Sequence, residues 1–168
     1  MYHVDPKEIV DGQSEIISLR GKSTPEVKHE IQEKFKTANI KLVTIHAGSN
    51  SIPRENPEKV ANDLISLAAS IRKSSPPTKV MISGVLPKLH NSFTPGIKYI
   101  NNKLRHKSRK YGFHFVNHDQ FFGAFDPSLY SQREIANRRP VHLSRSGLNK
   151  LKNNFKCCID KLNINNVN

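Results

Sequence analysis

KLVTIHAGSNSIPR, residues 41 to 54, is the stretch whose reading decides the fold. Leu42, Val43, Thr44 and Ile45 form a short β-branched and apolar run, the pattern of a buried strand. The run breaks at once into Ala47, Gly48, Ser49, Asn50 and Ser51, small residues that let the backbone turn sharply, and Pro53 excludes regular structure just beyond. In an open α/β sheet, ligands bind at the carboxyl ends of the strands, so Asn50 is placed to offer a side-chain amide to an oxyanion. The same residues also make an ordinary strand-to-helix turn in which Ser or Asn caps the next helix.

Working outward, strands alternate with helices. Glu15 to Leu19 is a brief apolar run that stops at Gly21. Thr24 as N-cap, Pro25 and Glu26 start a helix whose Val27, Ile31 and Phe35 repeat every four residues. Asn56 and Pro57 start a second helix with Val60, Leu64, Leu67, Ala68 and Ile71 on one stripe. Lys79 to Leu86 is a further buried-type strand, and Pro95 begins a helix with Ile97, Ile100 and Leu104 inward. Phe113, Phe115 and Val116 form another strand. The segment from Asp119 to Pro140 reads as a long irregular excursion, the kind of loop that is either functional or floppy. Ser144 to Gly147 leads into a last helix with Leu148, Leu151, Phe155 and Ile159 toward the core. This alternation implies an α/β fold with a mostly parallel sheet and right-handed crossovers that place helices on both faces. At 168 residues the expectation is a single domain over residues 1–160, with 161–168 as a frayed, Asn-rich tail.

Composition narrows the class. The hydrophobic fraction is 36%, and no run approaches the ~18 apolar residues of a membrane span. Met1 is followed by His3, Asp5, Lys7 and Glu8 rather than by an apolar leader, so no membrane association and a cytoplasmic location are the expectation. The two cysteines, Cys157 and Cys158, are adjacent. Neighbours on a helix diverge by about 100°, which disfavours a mutual disulfide, and no Cys/His spacing suits zinc, so no metal and no cofactor are expected. The formal charge of +13 is unevenly spread, since no acidic residue occurs between Asp63 and Asp119 while ten basic ones do. Six of these, Lys98, Lys103, Arg105, Lys107, Arg109 and Lys110, crowd one predicted helix. Such a face suits nucleic acid or another polyanion, or is simply solvated.

The segment VTIHAGSNSI resembles the strand and GxND block of the SGNH or GDSL-type hydrolases, and the similarity extends over nearly all of residues 1 to 160. The resemblance implies a flavodoxin-like three-layer sandwich and a serine esterase acting on a small acyl or acetyl ester. It makes Asn50 the oxyanion-hole amide, with Ser51 in the usual aspartate position, and makes the backbone N–H of Gly21, in SLRGKST, a second oxyanion donor. RPVHLSRSG is similar to the family's final DxxHL block, which makes His142 the catalytic base; His142 reads equally as a structural histidine at the start of the last helix. The chain departs from the family at two places. Arg139 stands where the orienting aspartate belongs, and a positive charge there disfavours the imidazolium that an aspartate stabilises. No GDS nucleophile block occurs either: MYHVDPKEIVDG is similar to the segment just after that serine in the family, as though the first strand of the sheet were missing.

Two functions therefore compete. One is an esterase-type domain, inactive over these 168 residues because nucleophile and aspartate are absent. The other is a non-catalytic module of the same fold that holds nucleic acid or another polyanion on its basic face. The oligomeric state is not readable.

Overall fold

The computed structural model describes residues 24–35, 40–52, 54–88, 93–123, 126–136 and 142–162. The expected strand at Glu15 to Leu19 lies outside them, as do Gly21 and Arg139. By its internal contacts the chain falls into two compact units: Leu19–Leu86 with Ser92–Asn117, and Met1–Ser18 with Pro87–Asn91 and His118–Asn168.

The first of these units holds the sheet. Helix α1 spans Thr24–Phe35, strand β1 Leu42–Ile45, helix α2 Pro57–Ser74, strand β2 Lys79–Ser83, helix α3 Thr94–Tyr111 and strand β3 His114–Val116. The strands run parallel in the order β1-β2-β3, with Ile45 opposite Ile82 and Ser83 opposite Val116. Helix α2 begins where Asn56 accepts a hydrogen bond from the Glu58 N–H at 2.7 Å, and Pro57 comes next with its φ already suited to the first turn. It buries Val60, Ala61, Leu64, Ile65, Leu67, Ala68 and Ile71, and α3 buries Ile97, Ile100 and Leu104. These side chains join Val80 and Ile82 of β2 in one core, against which Val27 and Ile31 of α1 pack. The stripes predicted for α2 and α3 are thus the faces that leave water, which is the main favourable term available to the unit.

Strand β2 is shorter than the apolar run from Lys79 to Leu86 suggests. The Gly84 N–H still donates to the Val116 carbonyl at 3.0 Å, but both backbone groups of Val85 are taken by a side chain. Asn101 of α3 accepts from the Val85 N–H at 2.8 Å and donates to its carbonyl at 3.0 Å. The ladder ends because a helix side chain satisfies the next residue.

In the other unit, the segment expected to be irregular is built of short helical pieces. Helix α4 covers Asp119–Phe122, a 3-10 turn Pro127–Leu129 and helix α5 Gln132–Ala136, before helix α6 at Arg145–Asp160. Pieces of three to five residues are too short for a hydrophobic period to declare itself. Local bonds fix them instead: the Phe121 and Phe122 N–H groups donate to the His118 carbonyl at 2.9 and 2.8 Å, Asp126 caps the 3-10 turn through the Ser128 N–H at 2.9 Å, and the Glu134 and Ile135 N–H groups donate to the Ser131 carbonyl at 3.0 Å; the longer α6 is capped by Ser144 through the Gly147 N–H at 3.2 Å. Phe122, Leu129, Tyr130, Leu151, Phe155 and Ile159 are buried here. Buried His118 accepts on Nδ1 from the Asn154 Nδ2 at 2.8 Å, which puts its ring proton on Nε2, and its ring stands edge-on to Phe122 and Phe155. Cys157 is exposed, Cys158 half-buried, and both are free thiols.

Candidate functional site

Asn50 sits in the turn that leaves β1. Gly48 has φ +99, a left-handed value that favours glycine, and a Cβ there would lie 3.2 Å from Val60 and 3.4 Å from Leu64 and Val85. The Ser51 N–H donates to the Gly48 carbonyl at 3.1 Å, and Ser51 itself is buried with its carbonyl accepting from Arg54 and Glu55 at 2.9 Å. The turn is therefore held from both ends, and its tip, Asn50, is exposed. Ser51 stands in the position where the resembling family keeps an aspartate, but its burial removes it as a nucleophile.

A second hydroxyl near this edge also has to be weighed. Ser83 Oγ lies 2.7 Å from His46 Nδ1, a serine-histidine contact across the ends of β2 and β1. Ser83 is fully buried and its hydroxyl also reaches the Gly84 carbonyl at 3.3 Å. A hydroxyl without access to substrate cannot attack one, so the pair ties two strand ends together.

His142 lies in the other unit, in an extended stretch between α5 and α6. The stretch is tied down residue by residue. The His142 carbonyl accepts from the Ser131 N–H at 2.9 Å, Leu143 bridges antiparallel to Tyr130, and the Ser144 N–H donates to the Leu129 carbonyl at 2.9 Å. Buried Gly147 allows α6 to start against the same carbonyl, because a Cβ at Gly147 would collide with the Leu129 oxygen. The imidazole itself is exposed, and its Nδ1 lies 2.7 Å from Oε1 of Glu134 on α5. The other carboxylate oxygen, Oε2, accepts the His142 backbone N–H at 2.6 Å. A carboxylate only accepts, so Nδ1 carries the proton and the lone pair falls on Nε2. This is the tautomer a general base needs.

The family pattern puts the orienting carboxylate three residues before His142, where Arg139 stands. Glu134 supplies one from eight residues before, on a different element. No spacing rule points to it; an acid inside a Gln-Arg-Glu-Ile-Ala turn is the sole trace in the sequence.

The six basic residues do not share one role. All lie on α3, where Lys98, Arg105, Arg109 and Lys110 are exposed while Lys103 and Lys107 are half-buried. Lys103 is committed: its Nζ lies 2.9 Å from Glu58 Oε1, and the pairing raises the lysine pKa and lowers that of the carboxyl. The Arg105 guanidinium sits 5.6 Å from the centre of the Phe115 ring, and Lys110 lies over Tyr111 at the same distance.

Among the described residues no helix is long and apolar enough to cross a membrane, and no His, Cys, Asp and Glu cluster is arranged to hold a metal ion. No protein-family model and no curated protein matches the chain. Among solved structures, a GDSL-like lipase from Bacteroides thetaiotaomicron is similar to it, with a TM-score of 0.69 and 20% identity over 84% of this chain and 73% of that one. With the parallel sheet and its helices, that likeness gives the chain an α/β, three-layer fold.

Proposed function

We propose that the chain is an esterase-type domain of the SGNH kind, acting on acyl or acetyl esters, whose nucleophile block is not among these 168 residues. The observation that carries this reading is the His142–Glu134 pair, an exposed imidazole held by a carboxylate in the base-competent tautomer. In this reading, a serine hydroxyl attacks the ester carbonyl as its proton passes to Nε2 of His142, and Glu134 stabilises the imidazolium formed. Asn50 and Gly21 carry the oxyanion role that the resemblance gives them. Glu134 takes over from the aspartate that Arg139 replaces, so the base half of the machinery is intact and the nucleophile is what is lacking.

The test uses two proteins. The 168-residue chain releases p-nitrophenol from its acetate no faster than buffer. A chain extended ahead of Met1 by a hydrophobic strand ending in Gly-Asp-Ser gains turnover and becomes labelled by a fluorophosphonate at the new serine. Turnover in the extended chain that survives His142→Ala refutes the assignment of the base. Turnover in the unextended chain that His142→Ala abolishes refutes the assignment of the missing part.

A further inference from the structure

Glu134 and His142 both hang on the backbone of a third residue, Ser131. The Ser131 N–H donates to the His142 carbonyl at 2.9 Å, while the Ser131 carbonyl accepts the Glu134 and Ile135 N–H groups at 3.0 Å and so starts α5, the helix that carries the acid. The two backbone groups of Ser131 therefore fix one partner each. The contact between the partners closes the circuit, because the His142 N–H donates to Oε2 of Glu134 at 2.6 Å. Three residues thus form a ring in which each backbone N–H donates to the next member: Ser131 to His142, His142 to Glu134, Glu134 to Ser131. The imidazole contact, Nδ1 to Oε1 at 2.7 Å, is made on top of this ring.

Neither partner has a regular element of its own to hold it. Helix α5 is five residues long, far below the length at which a helix persists in water, so the direction of Glu134 depends on how that helix is started. His142 lies in an extended stretch whose one described strand-like partner is the segment Leu129 to Ser131, through the Tyr130–Leu143 bridge and the bonds at either side of it. That segment is itself anchored just before Ser131. Tyr130 is 3% exposed, and its hydroxyl donates to the carbonyl of Pro87, in the same compact unit, at 2.9 Å. The peptide that joins Tyr130 to Ser131, and with it the N–H aimed at His142, is thereby fixed in orientation.

We propose that Ser131 is a positioning residue for the acid–base pair and that it acts through its two backbone groups, not through its hydroxyl, with Tyr130 as its anchor. The proposal rests on the esterase reading only in calling His142 a base. It explains how a carboxylate eight residues before the histidine can orient it: both are set from one residue, so their spacing along the chain does not matter. The side chain at position 131 is then of little consequence, whereas its N–H is indispensable.

The experiment is nitrogen NMR of the 168-residue chain, which reads the imidazole tautomer of His142, together with amide hydrogen exchange at the His142 N–H. Ser131→Pro deletes the N–H and keeps the carbonyl, and Tyr130 before it already has φ −122 and ψ 163, the extended conformation that a following proline imposes. This variant moves the ring from Nδ1–H toward Nε2–H and speeds exchange at His142 by about 2- to 12-fold, the worth of one net hydrogen bond. Ser131→Ala keeps both backbone groups and matches the parent in both readouts. Tyr130→Phe, which removes only the anchoring hydroxyl, shifts both readouts in the direction of Ser131→Pro and decides the matter if the proline variant does not fold. Ile159→Val, at a buried position of α6, lowers the melting temperature but leaves the tautomer alone, which separates positioning from general loss of stability. An unchanged tautomer in Ser131→Pro and Tyr130→Phe overturns the proposal, as does a tautomer that moves as far in Ser131→Ala or Ile159→Val. Failure of the esterase reading would show in ester turnover, which none of these measurements uses.

Discussion

Removing the Glu134 carboxylate should release His142 in two places at once. The ring contact is a surface pair, since the His142 side chain is 71% exposed and that of Glu134 26%, and such pairs contribute ~0.2 to 1 kcal/mol. The backbone N–H to Oε2 bond at 2.6 Å adds ~0.5 to 1.5 kcal/mol as an ordinary net hydrogen bond. Together these hold the stretch by about 0.7 to 2.5 kcal/mol, a factor of about 3 to 70 in a local opening equilibrium. Amide hydrogen exchange reads that equilibrium at the His142 N–H directly, and the ring tautomer is read from the nitrogen shifts of the imidazole. Glu134→Ala should accelerate exchange at His142 by about that factor and bring the ring from Nδ1–H toward the Nε2–H form that free imidazole prefers. Glu134→Gln retains an acceptor but no charge, so it should lie between the two. If both variants leave the exchange rate within about twofold of the parent and the tautomer unchanged, the carboxylate does not hold the base, and the catalytic reading of His142 goes with it.

Two further outcomes are expected. Leu104→Ala, at a fully buried position where α3 meets the core, should cost about 2 to 5 kcal/mol in denaturant unfolding, because the cavity cannot be filled from either neighbour; a smaller loss would show that this part of the core is loosely packed. Burial, with the negative charge of Asp126, pushes the Tyr130 hydroxyl from 10.0 up to about 12. The folded chain thus holds this proton more tightly than the unfolded one, and the stability it contributes is complete below pH 10.0 and lost as pH rises through about 12. The melting temperature should fall across that window, and less so in Tyr130→Phe, which has no proton to lose; an equal fall in both would place the alkaline transition elsewhere.

The sheet unit is legible in the sequence because its signals are local and repeated. The α2 stripe needs no knowledge of its partner, and Asn56-Pro57 announces the start of that helix as plainly as Gly112 announces the end of α3. What escapes a reading along the chain are relations between distant residues. Lys103 looks like any other exposed lysine of α3 until Glu58, 45 positions earlier, is seen beside it. Glu134 looks like a surface acid until the chain turns back and brings His142 against both of its oxygens. The family pattern directs attention to position 139, three residues before His142, and so away from Glu134, which lies eight before it. The short helical pieces between Asp119 and Ala136 are hidden for a simpler reason: each is three to five residues long, too short to show a hydrophobic period.

The Asn101 amide can be considered as a mechanical part. Its two hydrogen bonds reach the N–H and the carbonyl of a single residue, Val85, which is how a neighbouring strand would grip it. A helix is thereby locked to the sheet at one residue's register: sliding α3 by a single position would forfeit both bonds together, with no half-satisfied intermediate. A deletion between Val85 and the start of α3 at Thr94 is therefore absorbed by the connecting loop, whereas one inside α3 before Asn101 must break the lock or rotate every buried residue of the helix. Tolerance to changes of length along this connection should switch abruptly at the first turn of α3, wherever the loop's sequence drifts.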